Sequence, residues 1–144
     1  MKYSVEIEIE KPIAEVVKLY ENPDNLDKWM KGLQSMTPIS GEPGAKGSKT
    51  KFKFLMGKRE IEMTETILEN NLPQLFSCSY QADNVFNIVN TSFHAISENK
   101  TRCTNNSEFQ FKGFMKLIAF LMPSAFKKQS LTYLQDFKKF AEAS

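Results

Sequence analysis

Glu65 is the side chain with the most chemistry to offer. It stands between Met63 and Ile67 in a run whose apolar residues recur at every second position, so its carboxyl group points the same way as two large apolar neighbours. A carboxylate facing inward is costly unless it is hydrogen-bonded, paired or protonated. Glu65 can therefore hold a polar group of a bound molecule or act as an acid or base. The plainer reading is a structural carboxylate bonded to Thr50, Tyr80 or a lysine. His94 is the single histidine. As a general base it needs a partner, Glu65 or Asn105, and reaches one only if the even positions of its strand face inward. A satisfied surface histidine is the simpler account. One histidine excludes a histidine-rich metal site and gives little support to a nucleophile–histidine pair. No metal or cofactor is expected, and no residue is assigned a catalytic role. Asn105 and Ser107 are polar positions on an otherwise apolar face, suited to a ligand oxygen or to cavity water. Cys78 and Cys103 read as small buried apolar residues in a reducing compartment.

These residues need strands to aim them. Tyr3, Val5, Ile7 and Ile9 alternate with Ser4, Glu6, Glu8 and Glu10, which is a first strand with one buried face. Pro12 then opens a helix with Ile13, Val16, Val17 and Tyr20 on its apolar side, and Asn22-Pro23 stops it. A second short helix over residues 24–30 presents Leu26, Trp29 and Met30. A strand over 33–40 leads to the glycine-rich stretch 41–50. That stretch lacks the glycine-lysine-serine/threonine ending of a phosphate-binding loop and precedes a strand rather than a helix, so it reads as a flexible connection with solvated lysines.

The middle of the chain checks itself. A two-residue turn at Gly57-Lys58 pairs Phe54 with Ile61 and Phe52 with Met63, and both apolar phases agree with it. The connection at residues 70–73, with Glu69 opposite Gln74, sets Ile67 beside Phe76 and Met63 beside Tyr80. On the last strand Cys103, Asn105, Ser107, Phe109 and Phe111 face inward. Its partner over 85–97 has two phases. A turn at Asn99-Lys100 turns Phe86, Ile88 and His94 inward, whereas a turn at Asp83-Asn84 turns Val89, Thr91 and Phe93 inward. Both turns cannot be regular, so one loop holds an extra residue or a bulge. The first phase is preferred.

From Ser124 onward, Phe126, Tyr133, Leu134, Phe137, Phe140 and Ala141 recur at helical intervals and predict one long amphipathic closing helix. Pro123 separates it from the largely apolar piece at 114–122. Residues 113–123 are read first as a buried lid over a cavity mouth, with a homodimer contact or a membrane contact as the alternatives.

The order of elements is strand, two helices, six strands and a long helix, a single α+β domain over residues 1–144 built on an antiparallel meander. One helix cannot fill the concave side of a strongly curved seven-stranded sheet, so a cavity between them is expected. Its lining is expected to include Phe52, Phe54, Met63, Glu65, Phe76, Tyr80, Asn105, Phe109, Phe126 and Leu134. A net charge of +2 gives no reason to expect nucleic acid, and no aromatic-plus-basic recognition motif occurs. The longest apolar run, Leu117 to Met122, is far short of a membrane span, and Met1 leads directly into an alternating strand pattern rather than a signal peptide. A cytoplasmic protein is expected.

Several stretches carry a likeness: the first strand running into Lys11-Pro12-Ile13-Ala14-Glu15-Val16; Asn22-Pro23-Asp24-Asn25-Leu26-Asp27-Lys28-Trp29; Gly44-Ala45-Lys46-Gly47-Ser48 before a strand; Asn99-Lys100-Thr101; and Tyr133 to Glu142. With these the chain resembles, over essentially its whole length, the helix-grip fold of the START and Bet v 1-like superfamily, in the SRPBCC or polyketide cyclase/dehydrase branch. The resemblance implies a curved sheet wrapped around a C-terminal helix. It leaves activity open, because members include lipid and hormone carriers, aromatase/cyclases and chaperone cofactors. Binding of a small, mostly apolar lipid- or polyketide-like ligand is the leading expectation. A cyclase or hydratase using Glu65 with Tyr80 or His94 comes second, and a chaperone-cofactor or membrane-lipid interaction module third.

Overall fold

The computed structural model describes residues 1–144. Seven strands form one antiparallel sheet in the order β1-β7-β6-β5-β4-β3-β2. They are β1 (Lys2–Ile9), β2 (Leu33–Ser40), β3 (Lys49–Met56), β4 (Arg59–Asn71), β5 (Leu75–Ala82), β6 (Val85–Ser97) and β7 (Lys100–Phe111). Between β1 and β2 lie α1 (Ile13–Glu21), a 3₁₀ turn (Pro23–Asn25) and α2 (Leu26–Trp29). After β7 come α3 (Phe114–Leu121) and α4 (Pro123–Glu142). The curved sheet closed by a long C-terminal helix is the helix-grip fold that the sequence implies.

Local chemistry explains the boundaries. Pro12 caps α1, its carbonyl accepting from the amides of Glu15 and Val16. Asn22 accepts the Asp24 amide through its side chain and so starts the 3₁₀ turn. Gly32 (φ +86°) stands where a side chain has no room, since a Cβ there would lie 2.4 Å from the Leu55 carbonyl oxygen. That close approach lets the Leu55 amide reach the Gly32 carbonyl at 2.7 Å. Pro123 occupies the first turn of α4, and Met122 (φ −133°, ψ 57°) breaks the backbone between the two C-terminal helices, as expected from the proline.

Register follows the expectation in the first hairpin and departs from it in two others. Met56↔Arg59, Phe54↔Ile61, Phe52↔Met63 and Thr50↔Glu65 pair as read from the turn, with Gly57 at φ +66°. The β4–β5 pairing is shifted. Ile67 faces Cys78 and Glu65 faces Tyr80, because residues 72–74 form the connection and Leu68 is a bulge. The shift is by two residues, so the inward phase survives. In β6 the preferred phase is wrong. The turn at Asp83-Asn84 is the regular one (Ala82↔Val85), and the irregularity sits at Ile96, between Ala95↔Thr101 and Ser97↔Lys100. Thr91 and Phe93 are therefore buried, and His94 is exposed opposite Arg102. The glycine-rich connection is not loose either. Gly47 and Ser48 exchange backbone hydrogen bonds with Ile67, Asn70 donates to the Gly44 carbonyl at 2.6 Å, and Lys46 pairs with Glu69 at 3.3 Å.

The main core gathers Val5, Ile9, Val16, Trp29, Phe93, Cys103, Leu134, Phe137 and Ala141. Tyr20 sits at its centre, stacked on Trp29 and edge-on to Phe76, Phe93 and Phe137. Edge-to-face packing of this kind adds to the apolar burial of each ring.

Candidate ligand-binding site

α4 is fastened to one edge of the sheet. The Tyr3 hydroxyl bonds to the Phe126 carbonyl and Ser130 Oγ, Lys138 donates to the Glu8 carbonyl, and the Glu10 amide donates to Glu142. All four contacts tie the helix to β1 or the residue just after it. From β1 to β4 the sheet crosses four strand spacings, about 19 Å, whereas a helix is about 10–12 Å across. The helix cannot cover the inner face of β3–β5 as well.

Burial along the inner face records this. Ile67, Cys78, Thr91, Phe93, Thr101 and Cys103 are buried at one end. Toward the other end, Met63, Glu65, Tyr80, Asn87, Val89, Phe109 and Phe111 point the same way yet stay half-buried. Phe52, Phe54 and Ser107 are buried among them, and the inward residues with surface to spare around these outline a candidate cleft toward the β3–β4 and β5–β6 turns.

Within it, the Tyr80 hydroxyl donates to Glu65 Oε2 at 2.8 Å. Burial raises the Glu65 carboxyl above its usual range, against the lowering effect of its bonds to Tyr80 and Cys78. Burial, and then the charge of Glu65, pushes the Tyr80 hydroxyl well up. Burial likewise raises the Cys78 thiol, and it pushes Cys103 up to about 12, so neither is a ready nucleophile. A second polar chain lies beside the first: Tyr20 Oη donates to Thr91 Oγ1 at 3.3 Å, and Thr91 donates to Asn105 Oδ1 at 2.9 Å.

The ten residues expected to line one space fall into groups. Phe52, Tyr80 and Glu65 lie together on β3–β5, with Phe54 beside Phe52 and Met63 directly opposite it across the strands. Phe52 and Phe54 are almost wholly buried, so they floor the cleft rather than face it. Phe109 and Phe126 meet at 5.2 Å with Phe111 beside both. Two residues do not belong to this space. Leu134 is 2% exposed inside the main core, and Phe76 packs edge-on against Tyr20 there. Asn105 accepts from Thr91, which ties it to Tyr20 in the closed core rather than to Glu65 and Tyr80. His94 points outward, away from Glu65, which removes the His94 acid–base pairing. Sequence reasoning missed Tyr20 and Thr91 as polar members of the inner face. The signal for Thr91 was present in the phase that was not preferred.

An open groove of about 790 Å³ also lies on the outer side of the sheet, running from Lys51, Glu60 and Glu62 to Gln110 and Lys112. Its walls are mostly outward-facing polar side chains, and Met63 is the inner-face residue that also lines it.

The sequence profile described as "polyketide cyclase / dehydrase and lipid transport" matches residues 1–142. The chain belongs to that family. Among curated proteins no sequence match is found. Solved structures share the fold at low identity. The aromatase/cyclase Zhui from Streptomyces sp. R1128 superposes with a TM-score of 0.83 at 8% identity, covering 99% of this chain and 93% of that one. A protein from Thermus thermophilus gives 0.80 at 14%, covering 99% and 98%. Norcoclaurine synthase from Thalictrum flavum, solved with dopamine and hydroxybenzaldehyde, gives 0.73 at 13%, covering 97% and 85%. Membership of the polyketide cyclase/dehydrase and lipid transport family thus agrees with the topology over the whole chain. No helix of the structure is long and apolar enough to cross a membrane.

Proposed function

We propose that this protein binds a small, mostly apolar molecule carrying at least one hydroxyl or carbonyl oxygen, lipid- or polyketide-like, in the cleft between the inner face of β3–β5 and α4. The observation that carries this reading is the Glu65–Tyr80 pair, held at 2.8 Å on an apolar inner face that α4 leaves uncovered. Pockets of this kind bury an apolar body and fix its orientation with a few polar groups. Met63, Phe109 and Phe126 supply the apolar walls, Phe52 and Phe54 the floor, and Glu65 and Tyr80 the polar contacts. The reading treats residues 1–144 as one domain acting in the cytoplasm. Relatives of the same fold support the ligand class, one being an aromatase/cyclase and another a synthase solved with two phenolic compounds.

The raised carboxyl of Glu65 favours a second reading, a cyclase or hydratase. A carboxyl whose proton burial holds above the usual carboxylate range can give that proton to a substrate carbonyl, with Tyr80 holding it in place. Native mass spectrometry of protein purified from its own source tests both. A co-purifying apolar compound released unchanged supports a carrier, and its conversion on incubation supports the enzyme. Protein that carries nothing, and takes up no cis-parinaric acid when offered it, contradicts both readings.

A further inference from the structure

The cleft leaves one conspicuous surface unused. On α3 and the hinge after it, Phe114, Leu117, Phe120, Leu121 and Met122 are 69%, 50%, 81%, 64% and 56% exposed. The expectation of a buried lid is therefore half wrong. Ala119 is buried, Met115 and Ile118 are half-buried against the body, and the opposite side of the helix faces away from it. At about 100° per residue, Phe114, Leu117, Phe120 and Leu121 fall within one arc of about 120°, and Lys116 borders it.

The chain that flanks this face carries charge of one sign, although Asp83 stands in the β5–β6 turn whose Asn84 carbonyl accepts from the Lys112 amide. Lys112, Lys116, Lys127 and Lys128 are all exposed, and the segment from Phe109 to Gln135 contains no Asp or Glu. None of the four lysines takes part in an ion pair, although nine pairs occur elsewhere on the protein. We infer that α3 and these lysines dock the protein on the surface of an anionic lipid bilayer, with the aromatic side chains at the headgroup–acyl boundary and the lysines among the headgroups. A short helix with Phe and Leu on one face and lysines at its border suits the interface plane. Eight residues span only about 12 Å, so the element lies on the membrane and does not cross it. A second copy of the chain is the poorer occupant. A two-fold contact would set one lysine-bordered face against another, with no carboxylate from residues 109–135 to offset the repulsion. The inference does not require the cleft to be occupied.

Vesicle co-sedimentation of the full chain tests it, using phosphatidylcholine alone and with about 30 mol% phosphatidylserine at about 0.15 M salt. Partitioning is expected to be at least about tenfold stronger with phosphatidylserine and to fall steeply at about 1 M salt. Each lysine-to-glutamine change is worth about fivefold, so Lys116→Gln with Lys127→Gln lowers it about 25-fold. Leu117→Ser with Phe120→Ser, at exposed positions that leave the melting temperature unchanged, abolishes binding. Glu65→Gln keeps wild-type partitioning, which separates this surface from the cleft. Equal binding to both vesicle types, wild-type binding by the Leu117→Ser/Phe120→Ser variant, or loss of binding in Glu65→Gln overturns the proposal. So does a dimer in sedimentation velocity that this double variant dissolves while neither vesicle is bound.

Discussion

The two halves of the space between sheet and helices are built from the same residue types and end up differently. In the closed half, α1, α2 and the second half of α4 press Val16, Trp29, Leu134, Phe137 and Ala141 against β1, β6 and β7, with Tyr20 inserted among four aromatic rings. In the open half, Met63, Glu65 and Tyr80 sit on equally inward positions with no helix over them, Phe109 meets α4 through Phe126, and all four remain half-buried. The difference is one of cover, not of composition. A helix fastened along β1 closes the near part of a wide curved sheet and leaves the far part less covered, which is where the proposed site lies. The Glu65 carboxyl lies in the open half; in the closed half Thr91 is satisfied by Tyr20 and Asn105, whereas the buried Trp29 indole nitrogen has no hydrogen-bond partner.

If that division is right, truncation should be felt very differently on the two sides. Phe137 has no exposed surface, so Phe137→Ala should lower stability by about 3–5 kcal/mol in denaturant unfolding. Phe109→Ala removes a ring that is only half-buried and should cost about 1–2 kcal/mol. Equal losses would show that the open half is as tightly packed as the closed one.

Local opening should follow the same boundary. α3 has a single buried residue, whereas α4 buries Leu134, Phe137 and Ala141. Amide exchange is expected to be faster over residues 114–121 than over 126–140. Uniform protection across both helices would make α3 part of the closed half.

The smallest effect is also the most diagnostic of the carboxylate. Its folded pKa lies above the ordinary value of 4.5, chiefly through burial, so the folded state keeps a proton that the unfolded chain has already lost. Glu65 therefore makes the fold less stable as pH rises from about 4.5 through that raised value. Glu65→Gln, whose amide oxygen can still accept from Tyr80, should change stability by no more than about 1 kcal/mol. It should gain on the wild type as pH rises from 4 to 7. A variant that instead loses ground over that range would place the charged form of Glu65 in a stabilising ion pair.

Much of this architecture is legible in the residues, and the register failures come from bulges and from the length of one connection. The first hairpin could be read residue by residue because Gly57 fits a two-residue turn and the phases of Phe52–Phe54 and Ile61–Met63 agree with it independently. α4 was legible because its apolar stripe has only one helical phase. The bulges at Leu68 and Ile96 have no residue-type signature; the first, together with a connection at 72–74 rather than 70–73, shifts the β4–β5 register, and the second sets the face of His94. Glu65 was placed inward correctly, and Tyr80 was named among its possible partners, but the register drawn for them set Tyr80 beside Met63. The outward side of α3 was not legible. Every residue there but Lys116 is apolar or Ala, so periodicity has nothing to distinguish.

The central claim is that the open half is the binding site, and a two-dimensional NMR titration of the whole chain with cis-parinaric acid tests it most directly. The account predicts saturable shifts at Met63, Glu65, Tyr80, Phe109 and Phe126, with Val16, Phe93 and Phe137 unmoved. Shifts confined to the outer groove of Lys51, Glu62 and Lys112, or spread equally through the packed core, would contradict it.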